Sequence, residues 1–136
     1  MNQEEIDLVV KNNKLYRYTW GEQGAKANLR GVNLKGVNLE GVDLEGADFT
    51  GANLVGVKFF STNLRGAKFF LANLKGAKFF STTLYGANLE GANLKWVNLK
   101  WAKLYGANLL GAVYNKHTRF PEGFDPEEHG MILAEE

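Results

Sequence analysis

Between residues 27 and 111 the apolar positions recur every five residues, without one insertion or deletion. Leu or Phe stands at 29, 34, 39 and every fifth position to 109, filling all 17 pentads. Two residues before each of these centres the residue is always small: ten Ala, five Val and two Thr. Two residues after the centre stands Gly in twelve pentads, with Ser61, Leu71, Ser81, Trp96 and Trp101 as the exceptions. A period of five matches neither the roughly 3.6 of a helix nor the two-residue alternation of a strand. Apolar residues two apart fit a very short extended segment with two side chains on one side, followed by a bend. One pentad cannot bury its own leucine, so successive turns must stack to make a continuous core. The pattern predicts a solenoid.

A longer period lies over the short one. VKFFSTNLRG (57–66) returns as AKFFSTTLYG (77–86), twenty residues on, and Phe49 with Phe69, Phe59 with Phe79 and Tyr85 with Tyr105 keep that spacing. Twenty residues are four pentads, so a square turn of chain sets equivalent residues above one another, about 4.8 Å apart. Counting modulo twenty gives four faces. Centres 29, 49, 69, 89 and 109 line face one; 34, 54, 74 and 94 face two; 39, 59, 79 and 99 face three; 44, 64, 84 and 104 face four. The core phenylalanines then oppose each other on faces one and three, filling the bore.

In this region the chain resembles the pentapeptide-repeat proteins, whose pattern is summarised as A(D/N)LXX. ANLRG (27–31), ADFTG (47–51), ANLEG (87–91) and ANLLG (107–111) match it. The resemblance implies an all-β fold, a right-handed quadrilateral β-helix with four pentads per coil and about four coils here. The ending YNKHTRFPEGFDPEEHGM (114–131) is similar to the tail of many cyanobacterial members and implies such a source.

Solenoid ends expose core and strand edges that need covering. Residues 1–26 are read as an N-terminal cap, partly helical, with Ile6, Val9 and Val10 at helical spacing after an acidic first turn. Leu15, Tyr16, Tyr18 and Trp20 are expected to continue over the first coil. Residues 112–136 are read as a last degenerate pentad and a C-terminal capping tail whose end is allowed to be disordered. There Tyr114, Phe120 and Phe124 are candidate plugs, and Asp125 before Pro126 opens a short helical turn. The residue before each centre is Asn or Asp in twelve pentads, with Asn33, Asn53, Asn73 and Asn93 an unbroken column. These side chains are expected to bond to one another and to the bends.

Composition narrows the function classes. The 136 residues suffice for one domain. There is no cysteine, hence no disulfide framework and no thiolate chemistry. The start MNQEEIDLVV lacks a basic, apolar leader, and no apolar run approaches a membrane span, so a cytoplasmic protein without membrane contact is expected. Net charge is +1, with +5 over 27–111 and −4 from 112 onward. Asp43 and Asp48 lie on different faces without a third ligand, so no metal or other cofactor is expected. His117 and His129 are both in the tail, the repeat contains no His, and phosphate-binding glycine motifs are missing. No catalytic residues are assigned, and a non-enzymatic protein is expected.

The outer surface is then the place for function. Outward positions on face three read Glu40, Phe60, Phe80 and Lys100, with Trp96 and Trp101 at the adjoining bends and Lys58 and Lys78 beside them. Two readings compete: a ladder of Phe60 on Phe80 that only stabilises the fold, or aromatic anchors rimmed by lysine that dock a protein partner. The candidate interaction patch is Phe60, Phe80, Trp96, Trp101, Lys58, Lys78 and Lys100. The expected function is a protein–protein interaction scaffold, with an unknown partner and homodimerisation left open; a regulatory role is allowed by the resemblance. The alternative is a nucleic-acid-associated protein. It is disfavoured because +5 spread over four faces is weak, and because members that mimic DNA and bind gyrase do so through long acidic surfaces.

Overall fold

The computed structural model describes residues 1–135. Its repeat region is held by isolated parallel bridges with one register: Asn28 pairs with Asp48, Asn33 with Asn53, Asn38 with Lys58, and so on by twenties to Asn93 with Val113. Each rung uses the same bonds. The centre's N–H donates to the carbonyl nineteen residues on, as from Leu29 to Asp48 at 2.7 Å, and the next layer returns one, as from Asp48 to Ala27 at 2.9 Å. Four pentads therefore separate each residue from its ladder partner, and the chain is a parallel β-helix solenoid. After the third residue of each pentad the chain turns sharply, because the bend residue is left-handed in all seventeen, with φ between +53° and +74°.

The core is a single filled bore. All four Phe centres are fully buried, as are most of the Leu centres and the Ala and Val positions. Phe49 stacks on Phe69 at 5.0 Å and Phe59 on Phe79 at 4.8 Å, while rings from opposite faces meet edge-on at about 6 Å. Two stacks interlocked by edge contacts combine both favoured aromatic geometries. Thr62 and Thr82 replace the small apolar residue without leaving buried hydroxyls unpaired, since they donate to the Leu39 and Phe59 carbonyls.

The Asx column has a more local role than expected. All twelve Asn and Asp residues before a centre accept from the N–H two residues on, from Arg30 on Asn28 at 3.3 Å to Leu110 on Asn108 at 3.1 Å. Contacts between layers, such as Asn93 to Asn73 at 3.3 Å, are secondary. The side chain satisfies the amide that enters the bend, which is the Asx-turn preference of these residues.

Helix α1 (Gln3–Tyr18) covers the N-terminal end. The Asn2 side chain caps it by accepting from Glu5 N, and Glu4 and Glu5 sit in the first turn. Ile6, Val9 and Val10 face Leu29, Leu34, Leu39 and Leu44, enclosing a void of about 10 Å³. Buried Asn13 joins helix to sheet: it donates to Glu45 O at 3.1 Å and accepts from Ala27 N at 2.8 Å. Arg17 pairs with Asp43 and, at 2.6 Å, with Glu45. The expected continuation of the cap fails beyond Tyr16. Tyr18 is exposed and Trp20 is 96% exposed, because the helix ends at Thr19 and Trp20 enters a left-handed turn that carries it outward.

At the other end strand β1 (Val113–Tyr114) pairs in parallel with β2 (Ile132–Leu133), the short tail strand, so the tail returns to the ladder beyond Phe124. Tyr114, Phe120 and Phe124 pack on the core in a chain of rings, 5.5 Å and 5.1 Å apart. A 3-10 turn spans Glu127–His129, with Asp125 accepting from Glu127 N at 3.0 Å.

Candidate functional site

Outward side chains divide the pentads into two kinds. Twelve carry the Asx cap, and none of these has an aromatic residue after its centre. The five without it, at Lys58, Lys68, Lys78, Thr83 and Lys103, are followed two residues later by Phe60, Phe70, Phe80, Tyr85 and Tyr105. Four of those five rings fall on adjoining faces three and four, and Trp101 occupies the bend between the two faces. The aromatic surface is thus wider than face three alone, and Tyr85 and Tyr105 belong beside the residues the sequence singled out. The signal that finds them is the loss of Asn or Asp two residues upstream.

The structure leaves this surface open. Phe60 is half-buried, Phe80 is 40% exposed, Trp101 is 65% exposed and Tyr105 is 86% exposed. Lys58, Lys78, Lys100 and Lys103 are exposed around them, and among the described residues none of the four forms an ion pair. Phe60 and Phe80 share a column through Ser61 N donating to Phe80 O at 3.2 Å, but no ring stacking links them among the described residues. Arg65 lies over the Tyr85 ring at 5.5 Å, a cation–π contact that orients the ring on face four.

Trp96 and Trp101, paired in the sequence reading, have different roles. Both sit at bend positions in left-handed backbone, φ +63° and +61°, which costs a side-chain-bearing residue about 1–2 kcal/mol. Trp96 recovers this through the tail: its ring stacks on His117 at 3.7 Å, and its N–H donates to the Asn115 side chain at 3.2 Å. The Asn115 oxygen thereby stands in for the backbone carbonyl that serves other bends. Trp96 is a clip for the tail with one face left in solvent. Trp101 has no ring partner among the described residues. It lines a groove of about 650 Å³ with Lys100, Ala102, Lys103, Phe120 and Pro121.

His129 and Asp48, away from this surface, are engaged in structure. His129 stacks on Phe124 at 4.2 Å with its Nδ1 2.9 Å from the Asp125 carbonyl. Burial would raise the Asp48 carboxyl, but hydrogen bonds from the Thr50 hydroxyl and backbone and the nearby Arg30 outweigh it and hold its pKa below the ordinary value. Among the described residues no group of three or more His, Asp or Glu is placed to hold a metal.

The pentapeptide-repeat family model, with eight copies, matches residues 27–66, 58–95 and 72–111, together the whole repeat region. The chain belongs to the pentapeptide-repeat family. Solved structures similar to it include alr5209, a pentapeptide repeat protein from Nostoc Pcc 7120, at 30% identity over 93% of this chain and 95% of that one, TM-score 0.32. A pentapeptide repeat protein, Rfr23, from the cyanobacterium Cyanothece 51142 is 26% identical over 81% of this chain and 99% of that one, TM-score 0.39. HetL, a pentapeptide repeat protein involved in heterocyst differentiation regulation from Nostoc sp. strain PCC 7120, is 24% identical over 79% and 66%, TM-score 0.39. A search of curated protein sequences gives no match.

Proposed function

We propose that this chain is a right-handed quadrilateral β-helix serving as a non-enzymatic scaffold, docking a protein partner through the aromatic surface of faces three and four. The observation that carries this reading is Trp101: a large apolar side chain, 65% exposed, held in backbone that favours glycine and not repaid by any ring contact among the described residues. A strained, exposed aromatic that the fold does not need is a mark of selection for contact. Phe80 and Tyr105 extend the surface from Trp101, and lysines with no ion pair among the described residues rim it, the arrangement of anchors and polar edge found in protein interfaces. The bore supports the same reading, since it is filled by its own Phe and Leu side chains and offers a substrate no room.

The test is the double variant Phe80→Ser, Trp101→Ser. The scaffold reading expects an unchanged far-ultraviolet spectrum and melting curve, with association lost in pull-down and light scattering. A double variant that associates like the parent overturns it. Nucleic-acid binding is the competing outcome, and it would appear as an electrophoretic shift that disappears at moderate salt.

A further inference from the structure

The outermost rung on each face is met differently by the tail, and the face-four rung at 102–106 is the one that no tail residue covers among the described residues. On face one the outermost rung is covered at its bend, where Gly111 N donates to Gly130 O, while Ala107 O and Leu109 N have no partner among the described residues. On face two β2 lies on β1, and on face three Arg119 bonds to both Val97 O and Leu99 N. Nothing equivalent lies on face four among the described residues. Among the described residues the N–H groups of Trp101, Leu104 and Gly106 and the carbonyl of Ala102 have no hydrogen-bond partner. Leu104 is correspondingly half-exposed, whereas Leu44, Leu64 and Leu84 in the same column are buried. The tail causes the gap: after Arg119 it turns across the bore through Phe120 and Phe124 and rejoins the ladder at Gly130.

From this we infer that residues 101–106 form an open rung that accepts an extended, acidic segment of a partner chain as an added β-strand. Arg119 supplies the template on face three, where one residue donates to Val97 O at 2.9 Å and accepts from Leu99 N at 2.7 Å. The same two groups on face four are Ala102 O and Leu104 N, so a single residue of the incoming segment can satisfy both. An unpaired strand edge is a ready template for such addition. The groove beside the rung gives room, with Trp101, Phe120 and Pro121 as an apolar wall for alternate side chains. Charge selects the segment. Lys100 and Lys103 flank the rung and Arg119 stands on the neighbouring face, with Glu122 the one acid lining the groove among the described residues. Among the described residues none of these three cations is in an ion pair. The inference rests on the interaction reading to the extent that Trp101 and Lys100 border both surfaces.

The experiment uses the full chain and a short blocked peptide of alternating valine and glutamate at neutral pH. Controls replace glutamate by lysine, or the central valine by proline, which cannot donate to Ala102 O. Binding of the acidic peptide is expected to slow amide exchange at Leu104 and Gly106, and neither control should do so. Lys103→Glu should weaken binding roughly tenfold or more, as like charges oppose across the contact. Phe80→Ser, which lies off the rung, should leave peptide binding unchanged while impairing the face-three association, so the two readings fail separately. Exchange at Leu104 and Gly106 that ignores the acidic peptide overturns the inference, as does equal binding of the lysine peptide. Protection of those amides that rises with protein concentration alone also overturns it, because a second copy would then be the occupant.

Discussion

Replacing Phe69 with Ala removes a fully buried ring that stacks on Phe49 at 5.0 Å and meets Phe59 and Phe79 edge-on at 5.9 and 6.1 Å. Its sequence neighbour Phe70 is 37% exposed and forms no ring pair with them among the described residues. Truncating a buried Phe costs about 3–5 kcal/mol. The upper half of that range is expected here, because layers bonded above and below prevent the site from collapsing and three aromatic contacts go at once. For a chain of this length about 1 kcal/mol moves the melting temperature by roughly 3–5 °C, so Phe69→Ala should melt roughly 12–25 °C below the parent. Phe70→Ala should stay within about 0.5 kcal/mol. Circular-dichroism melts and urea titrations of the two variants give the comparison. Since each layer contacts only its neighbours, Phe69→Ala should also broaden the transition by uncoupling the two halves of the array. Equal losses for the two variants would refute the assignment of alternate Phe residues to core and surface.

Other outcomes follow from single contacts. Asn13→Ala leaves Ala27 N and Glu45 O unbonded beneath α1 and should cost about 1–3 kcal/mol by chemical denaturation. Arg17→Ala removes partly exposed ion pairs and should cost under about 1 kcal/mol, with a deficit that shrinks as salt is added. Trp101→Gly relieves left-handed strain and should match or exceed the parent's stability by up to about 1 kcal/mol, read as an equal or higher melting point, while losing partner binding. The lowered Asp48 pKa means this carboxylate adds stability above the ordinary carboxylate range, which is lost as pH falls through its folded value. Asp48→Asn should therefore flatten the acid limb of a stability-versus-pH curve, and an unchanged limb would exclude the effect.

The repeat was legible because it is local. The spacing of Leu and Phe by fives and of like residues by twenties dictates the ladder register, and Phe59, Phe69 and Phe79 fall in the core on counting alone. The ends were legible only in part. Helical spacing places Ile6 and Val10 on the first layer, but nothing in Tyr18 or Trp20 says that the chain turns away at Thr19. The pairing of Trp96 with His117 depends on a one-residue shift, visible as Asn98 pairing with Arg119 at twenty-one residues instead of twenty. That shift comes from the Asn115–Thr118 turn, whose long-range bonds no local pattern encodes. The open rung at 101–106 is a further consequence of the tail's path, and so appears only in three dimensions.

The central claim is that the aromatic surface, and not the bore, is the working part of this scaffold. The most direct measurement compares the parent with Phe80→Ser, Trp101→Ser in pull-down from a lysate of the source organism, with melting curves recorded on the same preparations. The account predicts coincident melting curves and a partner retained by the parent alone; the same partner retained equally by both proteins would contradict it.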